Sequence, residues 1–126
     1  MAEARLATGI WVSAYLTRLG LADIPAYVTR HGDDNAGAVM VKCAMLDGQA
    51  GLWAREWDLD SDRRRWVPLK QAPERDIDAE IARHSARDPD LWVIEIESRD
   101  GRTLLDQDGA GLRPQRAPRR SLDFSG

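Results

Sequence analysis

Three groups of residues in this chain have types and spacings that chemistry could use. Asp58-Leu59-Asp60-Ser61-Asp62 places carboxylates at alternate positions, as at the start of a calcium loop, where alternate side chains turn their oxygens inward. The sixth position is Arg63 where such a loop needs glycine, and the twelfth is Leu69 where a bidentate glutamate belongs. The segment is expected to be an acidic hairpin turn offset by Arg63, Arg64 and Arg65. Asp90, Glu95 and Glu97 form the second group, because Glu95 and Glu97 point the same way along a strand and Asp90 precedes them. Metal-dependent nucleases use carboxylates of this kind, followed two residues later by a lysine. Here Glu97 and Arg99 stand in that place, so these acids are expected on the solvent face of a half-buried strand. A small metal-dependent hydrolase built on Asp90, Glu95 and Glu97 is the competing reading.

The third group is aromatic and basic. Trp53, Arg55 and Trp57 alternate onto one side of a strand, and Trp66 follows in the next. Indole rings flanking a guanidinium stack on partner side chains, on bases or on each other. Trp53, Arg55, Trp57 and Trp66 are therefore the candidate binding surface, with packing against a sheet as the alternative. His31, His84 and Cys43 are not spaced as local metal-ligand pairs, so no metal centre, cofactor or catalytic residue is assigned. Gly48-Gln49-Ala50-Gly51 lies between two strands, where a nucleic-acid clamp of that form needs two helices, and it reads as a hairpin. Gly109-Ala110-Gly111 lacks the third glycine of a dinucleotide loop.

The elements that must position these residues follow from periodicity. Val12, Tyr15, Leu16 and Leu19 recur at spacings of three and four, which predicts a first helix from Gly9 to Leu19 with Gly20 as its left-handed cap. A short strand over Ala26 to Arg30 follows Pro25, and His31 to Gly37 is turn chemistry. Ala38 to Leu46, apolar on both faces except at Lys42, predicts a central strand, and Asp47-Gly48 predicts a hairpin. Strands over Leu52 to Leu59 and Arg64 to Leu69 come next. A turn centred on Ser61-Asp62 would set Trp57 opposite Trp66. Pro68 places the returning strand at an edge, or else lies near that strand's end. Pro73 begins a helix that stops before Pro89, with Ile77, Ile81 and His84 on one face. Leu91 to Ser98 is a strand whose Trp92, Ile94 and Ile96 are expected to lie against Ile77 and Ile81, and Thr103 to Leu105 a short last strand.

Composition limits what this architecture does. A chain of 126 residues with 43% hydrophobic and 31% charged residues is suited to one domain with one core. The net charge of -3 argues against nucleic acid or an anionic membrane as partner. The exception is the segment 109–126, where Arg113, Arg116, Arg119 and Arg120 outnumber Asp123 among prolines and glycines. It reads as a basic tail after a domain spanning 1–108. The lone Cys43 sits in an apolar run, consistent with an inert thiol in a reducing, cytoplasmic setting. LATGIWVSAYL reads as a folded helix rather than a signal peptide, and no run approaches the ~20 apolar residues that span a bilayer.

Gly9-Ile10-Trp11-Val12-Ser13-Ala14-Tyr15-Leu16, Gly37-Ala38-Val39-Met40-Val41-Lys42 and Asp88-Pro89-Asp90-Leu91-Trp92-Val93-Ile94-Glu95 carry a resemblance to a family of short, uncharacterised bacterial proteins, a domain of unknown function. It covers most of residues 5–105, omits the basic tail, and implies no activity or site. The combined reading is an α+β domain, a two-layer sandwich with two helices on one face of a mainly antiparallel sheet of four or five strands. Its expected role is that of a non-catalytic interaction module, binding an unknown protein partner or self-associating through an edge strand or the tryptophan face. Nucleic-acid binding through the tryptophans and the arginine tail is the third reading.

Overall fold

The computed structural model describes residues 7–58, 60 and 63–105, with the side chains of 57, 58 and 63 excepted. Helix α1 spans Thr8–Leu21, followed by strands β1 (Ala26–Arg30), β2 (Val39–Ala44), β3 (Gln49–Asp58) and β4 (Arg63–Pro73). Helix α2 spans Glu74–Arg87 and leads to β5 (Trp92–Glu97). The strands form one sheet in the order β1-β5-β2-β3-β4, and every pairing is antiparallel except that of β2 with β5. The α+β class and the mostly antiparallel sheet agree with the sequence reading.

The helices, however, lie on opposite faces of the sheet rather than together on one. Val39, Val41 and Cys43 of β2 and Trp92, Ile94 and Ile96 of β5 share a core with Trp11, Val12, Tyr15 and Leu19 of α1. The alternate residues Met40 and Val93 share a second core with Leu52, Ala50 and Ile77 of α2, and Ile81 packs against it. Side chains of a strand alternate between faces, so β2 and β5, buried on both, are the interior of a three-layer arrangement. The expected packing of Ile77 and Ile81 on Trp92, Ile94 and Ile96 is corrected accordingly. It fails because an apolar run buried on both faces leaves no periodic sign of which helix takes which face.

Local chemistry explains the element ends. No side chain caps α1; instead Asp34 and Asn35 carbonyls accept the Gly9 and Thr8 N–H groups at 2.8 and 3.3 Å. The left-handed residue after α1 is Asp23, at φ 61°, and Gly20 lies within the helix. The β2–β3 hairpin turns at Gly48, φ 91°, with the Gln49 N–H donating to Asp47 Oδ1 at 3.0 Å. Gly32 and Gly37 are required for closeness: a Cβ would stand 2.2 and 2.4 Å from the Asp90 carbonyl oxygen. Leu104 and Leu105 form no strand; Leu104 takes φ 60° and both side chains enter the α1-face core. The basic segment 109–126 and the Ser61-Asp62 turn lie outside the described residues.

Candidate functional site

Of the aromatic group of the sequence, Trp66 is buried and Trp53 half-buried. Arg55, not Trp57, is the register partner of Trp66, and Trp57 pairs with Arg64. The β3–β4 register is set two residues away from the expected one. Trp66 is 3% exposed and lies 5.4 Å from the ring of Trp11, which stacks on Tyr15 at 4.9 Å. The Arg55 guanidinium lies over both indoles, 5.1 Å from Trp11 and 5.7 Å from Trp66. Trp53 is half-buried and borders an open depression of about 290 Å³ with Gly51, Pro68 and Leu69, where β4 carries an extra residue. The Trp57 side chain lies outside the described residues. Trp11, which the sequence reading placed only in a helix, is the centre of this cluster.

The acidic group is drawn into a different arrangement. Lys42, at the middle of β2, is 4% exposed, and its Nζ sits 2.8 Å from Glu74, 2.7 Å from Asp78 and 3.7 Å from Glu95. Helix α2 crosses the sheet from β4 to β5, which puts Glu74 and Asp78, one turn apart, above Lys42. The parallel register puts Glu95 beside it. Burial alone would lower the Lys42 pKa, but the hydrogen bonds to Asp78 and Glu74, with the charges of Glu95 and Asp78, raise it above 10.5. Lys42 therefore remains an ammonium across physiological pH and is neither a nucleophile nor a general base. Glu95 is half-buried against it, Glu97 is half-buried on the same strand face, and Asp90 is exposed in the preceding turn. Among the described residues, no three His, Cys, Asp or Glu side chains come together to hold a metal ion. The calcium-like spacing of Asp58, Asp60 and Asp62 falls partly outside those residues.

The remaining titratable candidates are held locally. His84 bonds Glu80 at 3.1 Å, and Arg83 followed by His84 holds the Glu80 carboxyl below its usual range. His31 is exposed, bonds Asp34 at 3.0 Å and lies against the Trp92 ring. Cys43 is 2% exposed, and burial, with the charge of Asp100, pushes its thiol up to about 12.

The two sheet edges differ. β4 carries Pro68, Pro73, Lys70 and Arg63 to Arg65, and its ladder is interrupted by an extra residue. Such features block further strand pairing. β1 has no charge or proline before Arg30, and Tyr27 and Val28 are 51% and 39% exposed. The Glu97 N–H donates to the Pro25 carbonyl at 3.0 Å. By the alternation of antiparallel pairs, Tyr27 is then bonded to β5, and the N–H and C=O of Ala26 and Val28 point outward.

Residues 6–106 match the family described as "Protein of unknown function (DUF1491)". The chain belongs to the DUF1491 family. A crystal structure of a DUF1491 family protein from Caulobacter crescentus CB15 is 43% identical, covers 80% of this chain and 95% of that one, and superposes with a TM-score of 0.73. An NMR structure of a DUF1491 family protein from the same organism is 41% identical, covering 82% and 94%, with a TM-score of 0.71. A protein from A. tumefaciens solved in solution is 31% identical, covering 89% and 99%, with a TM-score of 0.70. No curated protein matches the chain. Within the described part of this DUF1491 chain, no helix is long and apolar enough to cross a membrane.

Proposed function

We propose that this DUF1491 protein is a non-catalytic interaction module of the bacterial cytoplasm that engages protein partners by adding a strand at β1. The observation that carries the reading is the contrast between edges: β4 is guarded by prolines, basic residues and an extra residue, whereas β1 offers outward backbone groups beside exposed Tyr27 and Val28. An exposed edge strand is a liability that proteins ordinarily cover or charge, so an edge that none of the described residues covers fits use as a docking edge. The buried, strongly protonated Cys43 thiol fits a reducing compartment, and the relatives from C. crescentus and A. tumefaciens support a bacterial origin.

Val28→Pro tests it. Proline removes the outward N–H while leaving the β1–β5 ladder intact. The tagged full chain and the variant are compared for retention of cellular proteins and for circular dichroism. The reading expects the bound set to shrink at least tenfold in the folded variant. An unchanged bound set from a folded variant contradicts it.

A further inference from the structure

We infer that the strand added at β1 is β1 of a second copy of the same chain, an inference that rests on the edge-docking reading above. Pairing about a two-fold axis through Tyr27 matches the outward groups to themselves. Val28 exchanges both backbone bonds with Ala26 of the second copy, and Ala26 with Val28 of the second copy. Tyr27 falls opposite Tyr27 of the second copy, an aromatic pair of the kind that stabilises sheets.

The charges fit the same register. The extra residue Thr29 shifts the ladder so that Arg30 pairs with Val93, whose side chain lies on the α2 face. Arg30 is thereby turned to the face that carries Glu95 and Glu97. In the single chain the Arg30 guanidinium has one long bond, 3.4 Å to the Pro89 carbonyl, and Glu97 has no ionic partner among the described residues. Antiparallel pairing brings Arg30 of each copy alongside the β5 segment of the other that ends in Glu97.

Size and closure define the assembly. A five-residue strand pair falls in the weak class of interfaces, those burying under about 1,200 Å², so association is concentration-dependent. Because β4 is guarded, each copy contributes one open edge and the assembly stops at two.

Sedimentation equilibrium of the full chain from micromolar to millimolar concentration tests this. The mass rises to twice the monomer and levels off. Val28→Pro holds it at the monomer, Arg30→Glu weakens association at least fivefold, and Glu97→Arg added to Arg30→Glu restores it. Tyr27→Cys gives a disulfide-linked dimer under mild oxidation, as the roughly 4.5 Å Cα separation of a directly opposed non-bonded pair allows, and a cysteine at exposed Leu46 does not. Should Val28→Pro unfold, the cysteine result decides. A mass constant at one chain, growth past two chains, or equal crosslinking at both positions overturns the inference. A monomer whose other partners are still lost on Val28→Pro overturns self-pairing alone and leaves the edge-docking reading standing.

Discussion

Lys42 and Glu95 face each other across the parallel β2–β5 pair, Nζ to Oε1 3.7 Å, at a depth where Lys42 is 4% exposed and Glu95 26%. The ammonium is the buried partner and the carboxylates reach water. Glu74 and Asp78 of α2 complete its shell, so this cluster pins the helix to the sheet.

Removing charge from the two sides of this cluster has unequal effects. In Glu74→Ala/Asp78→Ala the ammonium stays buried with Glu95 alone, and stability falls by about 3 kcal/mol, within the range for a broken buried ion pair. Lys42→Met leaves carboxylates that rehydrate, and the loss is about 1 kcal/mol or less. Urea denaturation of both variants measures the asymmetry, and equal losses contradict it.

The same cluster governs stability at high pH. The folded Lys42 pKa is raised above the unfolded 10.5, so its contribution is full below pH 10.5 and is lost as pH rises through the folded value. Thermal melts between pH 9 and 11.5 show a steeper decline above pH 10.5 for the native chain than for Lys42→Met. Parallel curves contradict the assignment.

Cys43 is protected by the same β2 strand. With its thiol pushed up to about 12 and 2% exposed, it reacts with iodoacetamide at pH 8 at least a hundredfold more slowly in the folded chain than in denaturant. Mass spectrometry against time measures the ratio, and a near-unity value contradicts the burial.

Trp66 and Trp11 lie in the α1-face core, and truncating Trp66 behaves accordingly. Trp66→Ala removes a 3%-exposed indole tilted against Trp11 and under Arg55, costing about 3–5 kcal/mol as buried aromatic truncations do. Denaturation midpoints measure it. A folded, undestabilised Trp66→Ala would return this group to the surface.

Much of the fold was legible. Helix α2 announced itself through Pro73, the apolar pair Ile77 and Ile81 and the stop before Pro89. Strand β5 showed its alternation, and Asp47-Gly48 its turn. The face assignment was not legible, because Val39 to Ala44 and Trp92 to Ile94 are buried on both sides and carry no period. The Lys42 cluster left a weak signal: one lysine in an otherwise apolar central strand, with carboxylates at 74 and 78 on a later helix. Which acids it meets depends on the crossover from β4 to β5, a long-range fact. The open edge was hidden for a related reason: Pro68 pointed to an edge or to the end of its strand, and only the sheet order shows that β4 and β1 are the two edges.

Residue-resolved amide hydrogen exchange, comparing the dilute free chain with the complex it forms, tests the interaction reading most directly. The Ala26 and Val28 amides, which point away from β5, are predicted to exchange rapidly in the free chain and to slow at least a hundredfold in the complex. Protection appearing on β4, α1 or α2 while those two amides stay unprotected would contradict it.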